Sequence, residues 1–312
     1  MSKNLLWSLS MVLMLALVVA GCSKSINGPT EPLTDQQKQQ ITQLITSDPL
    51  FTSDGSTLND DGTGMTLGKT ETSIYPRAWG RKITSADRNV TFETPNDTTV
   101  IATVTTTLIG NVIIRAKYNL SDTALTTITK PFTETTVRKI KFYKNPFAFG
   151  PKWITREVSA AQGGTSGSLI TITQLRAIFG TDTLTITDPL SYFLQLGKFG
   201  MREREIAMLP SGFLQKITIQ VSVMSSDPDT DIVSLHRPYL SIFGGFRPLA
   251  TRMQMVSQTQ NGNTYSRVYE QSWIGLIPGR HHVFVSALTR SSIFDDVATF
   301  SSQLWGLPYI AM

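Results

Sequence analysis

The chain has 312 residues, is 40% hydrophobic and 16% charged, carries a net charge of +5 and contains one cysteine. A single cysteine excludes a disulfide framework, so stability must come from buried apolar area, which a chain this long can supply. Its length predicts two domains, and its positive charge is scattered without a run of five like residues, which excludes a basic tail for nucleic acid.

An apolar run from Leu5 to Ala20 follows a short start carrying Lys3 and ends at Val19-Ala20-Gly21-Cys22. It is interrupted by Ser8 and Ser10 and is shorter than the roughly 20 apolar positions that a spanning helix needs. A positive start, an apolar centre and small residues at the exit make a secretory signal. An ordinary secretion signal would leave Cys22 as a stray thiol. Val-Ala-Gly-Cys instead resembles the lipobox of bacterial lipoproteins, in which cleavage precedes the cysteine and the new N-terminus is lipid-modified. That resemblance implies a signal peptide over residues 1–21, lipidation at Cys22 and a membrane partner reached through acyl chains. The implied address is the bacterial cell envelope, in the outer membrane, facing the periplasm or the surface.

Residues 22–33, with Gly28, Pro29 and Pro32, read as a lipidated tether. Thr34 with Gln37 forms the pattern of a capping box, and Ile41, Leu44 and Ile45 follow at helical spacing before Pro49. One amphipathic helix is expected near 35–47. The Gly-rich stretch 52–70 carries Asp54, Asp60 and Asp61, but their spacing lacks the alternation of a calcium loop and reads as a solvated turn region.

From about Val90 the hydrophobic period changes to two. Val100, Ala102 and Val104 alternate with threonines, Gly110-Asn111 interrupts, and Val112 to Tyr118 resumes, which predicts a hairpin turning at Gly110-Asn111. Further strands are expected at Thr135–Tyr143, Trp153–Val158, Leu169–Leu175 and Leu184–Thr187. Arg138, Lys139 and Lys141 make the Thr135 strand a solvated, edge-protecting one, or one facing an anionic membrane. Gly163-Gly164-Thr165-Ser166-Gly167 lacks the Lys-Ser/Thr of a phosphate loop and reads as a turn. A leading helix, an aromatic segment at Ile74–Trp79 and hairpin strands ending in Trp153-Ile154-Thr155 resemble the nuclear-transport-factor-2-like (NTF2-like) superfamily. The resemblance implies an α+β curved-sheet domain over 34–200, whose cone could hold a pocket lined by Tyr118, Tyr143 and Trp153. None of His236, His281 and His282 falls in that region, so a histidine-dependent version of such a pocket is excluded.

The charge cluster Met201-Arg202-Glu203-Arg204-Glu205 marks a boundary near residue 200. Beyond it, Phe213–Met224, Ile232–Leu235, Arg252–Gln258, Thr264–Trp273 and His282–Thr289 read as strands, with a turn at Asn261-Gly262-Asn263. The Asp227-Pro228-Asp229 loop and the alternating strand after His281 resemble immunoglobulin-like modules of the polycystic-kidney-disease and fibronectin type III kind, implying a β-sandwich over 201–312. In such a sandwich the loop with Asp227, Asp229 and Asp231 meets the loop with Asp295 and Asp296. The five carboxylates either bind calcium at that rim or turn into water as ordinary loop residues. Adjacent strand residues face opposite ways, so His281 and His282 do not make a zinc site. No Gly-x-Ser-x-Gly elbow and no opposed pair of acids appears. Trp305–Ile310 reads as a packed final strand or an exposed apolar patch.

The expectation is a mainly β chain with one N-terminal helix: an NTF2-like domain followed by an immunoglobulin-like sandwich. Its role is non-enzymatic binding, adhesion or assembly, with an envelope protein or polysaccharide as partner, no nucleic acid and no required cofactor. The other reading is a small-ligand carrier or pocket enzyme using the cone.

Overall fold

The computed structural model describes residues 32–52, 73–146, 152–196, 208–209, 216–240, 246–274 and 279–311. Cys22, the loop acids Asp54, Asp60 and Asp61, and the 201–205 cluster lie outside the described residues. The chain is mainly β and its sheets are almost wholly antiparallel.

Helix α1 spans Asp35–Ser47 and the short α2 spans Pro49–Thr52. The Thr34 hydroxyl accepts from the Gln37 amide at 3.3 Å, and the Gln37 side chain accepts from the Thr34 amide at 3.0 Å. This reciprocal cap satisfies two donors that the first helical turn leaves open. Pro49 pushes Asp48 out of helical geometry and ends α1. Ile41 and Ile45, one turn apart, are buried.

A meander of three long strands follows: β1 (Tyr75–Asn96), β2 (Thr99–Lys117) and β3 (Thr126–Lys144). β2 has 19 residues and so extends for about 60 Å. Its even positions from Val100 to Ala116 are buried, and its odd positions carry Ile101, Thr103, Thr105 and Thr107 on the outer side. The turn expected at Gly110-Asn111 is absent, and both residues lie inside β2. A β-carbon at Gly110 would strike the Lys82 carbonyl and come within 3.0 Å of Phe132, so this glycine permits close packing between strands. The turns fall instead at 97–98, where Asn96 Oδ1 accepts from the Thr98 amide, and at 118–125, where Asp122 accepts from the Asn119 amide.

Strands β4 (Trp153–Ser159) and β5 (Ala161–Thr165) lie end to end along β3. Strand β3 is therefore interior rather than an edge. Its Arg138 is buried and donates to the Leu50 carbonyl at 2.6 Å, which corrects the reading of this strand as solvated or membrane-facing. Gly163 and Gly164 are part of β5, and a side chain at either would strike the backbone of Thr135 or Ser302.

β6 (Ile170–Phe179) and β7 (Asp182–Ile186) form a hairpin, and β8 (Phe193–Gln195) and β9 (Met208–Leu209) are short. Then come β10 (Lys216–Ser225), β11 (Ile232–Leu240), β12 (Phe246–Arg252), β13 (Gln254–Asn261), β14 (Thr264–Ile274) and β15 (Gly279–Leu288). The single turn α3 (Ser291–Phe294) precedes the last strand, β16 (Ser302–Ala311). One sheet runs β1-β2-β3-β5-β16-β15-β11-β12, and the second runs β13-β14-β10-β6-β7.

This order corrects the division at residue 200. β6 pairs with β10 from Ile170↔Ser225 to Phe179↔Ile217, and β5 pairs with β16. Each sheet thus takes strands from both sides of the expected boundary. The main core does the same, joining Ile41, Val104 and Phe142 to Val221, Val285 and Trp305. Trp305–Ile310 lies on an interior strand, with Trp305, Leu307 and Tyr309 buried.

Candidate functional site

The crossover from β10 to β11 carries Asp227, Asp229 and Asp231, and the β15–β16 connection carries Asp295 and Asp296. The two segments meet at one end of the sandwich, as the sequence predicts. Asp227 Oδ2 accepts from the Ser291 amide at 2.9 Å, and Arg290 Nε lies 3.7 Å from Asp229.

The carboxylates nevertheless do not converge on a common point. Asp231 is fully buried and accepts from Arg267 Nη1 at 2.8 Å and from the Tyr269 hydroxyl at 3.2 Å. Burial raises its carboxyl above the ordinary range although Arg267 pulls it the other way. Arg267 also donates to the carbonyls of Asp227 and Pro228 and to the Gln258 side chain. Asp227 Oδ1 accepts from the Asp229 amide, and Asp295 Oδ1 accepts from the amides of Val297 and Ala298. Lys130 reaches the carbonyls of Ser291, Ser292 and Asp295 from β3, and burial holds its ammonium below the ordinary lysine range. Among the described residues, no group of three His, Cys, Asp or Glu side chains is arranged to hold a metal ion. The positive charge that this rim needs comes from Arg267, Arg290 and Lys130, so the geometry offers calcium no ready ligand set.

The three candidate pocket residues are likewise separated. Tyr118 follows the end of β2 and hydrogen-bonds Asp296, which raises its phenol above the ordinary range. Tyr143 sits at the other end of the meander, opposite Thr99, and donates to Glu157 at 2.9 Å. Trp153 is buried in the main core with Phe142 and Val158. About 60 Å of strand separates Tyr118 from the other two, so they do not line one cone.

Elsewhere the interior is held by charge. Glu134 accepts from Arg81 and from the Ser302 hydroxyl, linking β1, β3 and β16. His236 contacts the Ser286 hydroxyl at 2.7 Å, and burial brings its imidazole down to about 3. His282 is half-buried with its Nε2 shielded, and desolvation holds its imidazole well below the ordinary range, whereas the ring of its neighbour His281 lies tilted against Tyr309 at 5.4 Å. These groups link strands of the larger sheet to one another.

Of the nine exposed large apolar side chains among the described residues, four lie at the end where β2 turns into β3. Tyr118 is 45% exposed, Leu120 54%, Leu125 47% and Val297 84%. The Asp296 amide donates to the Ser73 hydroxyl at 3.2 Å, two residues before Tyr75, which pairs with Lys117 at the end of β2, so the Val297 segment lies beside this hairpin. Beside it, Ala78, Gly80, Lys82, Ile113 and Arg115 border an open depression of about 250 Å³. Sequence reasoning passed over Leu120 and Leu125. They stand outside any alternating run, and only their place in a polar turn signals exposure.

α1 contacts β4, which pairs with the Ile140–Lys144 end of β3. Ile41, Ile45, Leu50, Phe51 and Leu33 belong to the same core as Val100, Ala102 and Phe142, and Arg138 and Arg88 reach the carbonyls of Leu50 and Thr52 from opposite Val104 and Thr106. α2 therefore lies beside Val104 and Thr106, about 40 Å of strand from the tip. No family model, curated protein or solved structure matches the chain.

Proposed function

We propose that the chain is a lipid-anchored lipoprotein of the bacterial cell envelope, in the outer membrane, that acts by binding rather than by turnover. The observation that carries this reading is the opposition of its two ends. α1 and α2 lie towards the base of the β1–β2–β3 meander, beside β4 and the Val104–Thr106 stretch of β2, and Tyr118, Leu120, Leu125 and Val297 stand exposed at its far end. Acylation of Cys22 would hold the base at the bilayer, where the acyl chains add about 0.8 kcal/mol per buried CH₂. The two-sheet body then acts as an immunoglobulin-like platform, and its curved meander supplies the reach expected of the NTF2-like part.

The tip suits an envelope protein better than a polysaccharide, because clustered leucines reward burial and offer sugar hydroxyls no hydrogen bonds. Arg115 and Lys82 beside it favour a partner with acidic groups near its apolar contact. A photoreactive amino acid at Leu120, in cells making the full chain, is expected to capture one discrete envelope protein. Replacing Leu125 with Asp in that background is expected to abolish the adduct without changing the melting curve, since the residue is exposed. An unchanged adduct pattern in the Leu125→Asp chain would remove the tip from the account.

A further inference from the structure

Unpaired sheet edges invite another strand, and proteins blunt them with charges, prolines, bulges or short length. Most edges of this molecule are blunted. β1 carries Pro76, Arg77, Lys82, Asp87, Arg88, Glu93 and Pro95 and has three register shifts against β2. β12 carries Arg247, Pro248 and Arg252. β7 has five residues and begins with Asp182, and β8 has three.

β13 is the exception. It is Gln254-Met255-Val256-Ser257-Gln258-Thr259-Gln260-Asn261, with no charge and no proline, and its pairing with β14 is irregular only between Met255 and Ser257. All eight residues are exposed, including Met255 at 41% and Val256 at 54%. Among the described residues, no strand pairs with its outer edge.

We propose that β13 is the seam of a homodimer. Two copies pair their β13 strands antiparallel about a two-fold axis, joining two five-stranded sheets into one continuous sheet. The case for a second copy, rather than another protein, rests on charge. Around a two-fold axis each residue is repeated across the seam, so a charged strand would place like charges opposite each other. A strand without charge escapes that penalty in every register. Gln258 Oε1 is taken by Arg267 and Gln260 Nε2 by the Gly262 carbonyl, but the remaining amide group of each, with those of Gln254 and Asn261, still offers donors and acceptors to a second copy.

The test uses the full chain with Cys22→Ser, so that one introduced cysteine is the only thiol. Cysteines placed singly at Val256, Ser257, Gln258 and Thr259 are expected to form an intermolecular disulfide at one or two adjacent positions. A cysteine at Leu120 serves as control and is expected to form none. In sedimentation equilibrium the Cys22→Ser chain is expected to be a dimer at micromolar concentration. Val256→Lys with Thr259→Lys is expected to make it a monomer that keeps one cooperative thermal transition, now independent of protein concentration. A monomeric parent chain, a dimer that survives both lysines, or equal crosslinking at Leu120 and along β13 would each overturn the proposal. None of these results depends on acylation or on the tip.

Discussion

A chain ending at residue 200 is expected not to fold. In the structure that truncation strips β6 of its pairing with β10 along the whole of Ile170–Phe179 and leaves β6–β7 as a lone hairpin. A two-stranded hairpin in water is marginal at best. The same cut removes β16, the neighbour of β5 in the larger sheet, and exposes Ile172, Leu175 and Ala177 on their formerly buried sides. Glu134 loses Ser302, and Lys130 loses the carbonyls of the β15–β16 connection. Produced alone, the fragment should show no cooperative thermal transition and weak near-ultraviolet circular dichroism. A sharp transition would mean that residues 34–200 are a domain in their own right, and would contradict the interleaved fold.

The second large effect concerns Asp231. Replacing it with Ala leaves the Arg267 guanidinium and the Tyr269 hydroxyl buried without their shared acceptor. Removing one partner of a buried ion pair costs about 3–5 kcal/mol, a large part of the roughly 5–15 kcal/mol that holds a typical domain together. Urea unfolding should show this as a fall in midpoint with little change in slope. Replacing both members, as Asp231→Leu with Arg267→Met, should cost less than the sum of the single changes, since no charge is then left unpaired. A loss under about 1 kcal/mol for Asp231→Ala would show that the pair does not hold the crossover in place.

Local features were legible in the sequence, and pairings were not. The capping box at Thr34 and Gln37 marks α1, because its donors and acceptors lie within one turn of each other. Asn261-Gly262-Asn263 marks its turn because Gly262 has a φ of +59°, a conformation that glycine adopts without strain. Gly110 misled for the converse reason. Glycine serves a turn and a close strand contact equally well, and only the distant Lys82 and Phe132 decide between them. The boundary at 200 misled because alternation reports which face of a strand is buried and says nothing about its partner. β6 finds β10 far along the chain, Phe179 pairing with Ile217 and Ile170 with Ser225.

The acidic rim shows the same division. Topology brought Asp227 to Ser291 as expected, since crossovers at one end of a sandwich must meet. What neutralises the acids was hidden on β14. Arg267 sits in phase with the buried Tyr269 and Trp273, and a charged residue on a buried face needs a partner. That phase was the available signal. Arg138 on β3, in phase with Ile140 and Phe142, carried the same one.

The account as a whole depends on which end of the molecule is held. Mass spectrometry of the native product from envelope fractions tests this directly. The predicted result is a chain beginning at residue 22, with acyl groups on its cysteine and residues 1–21 absent. An unmodified Cys22, or a product that retains its first 21 residues, would leave the base of the meander unattached and contradict the proposed role.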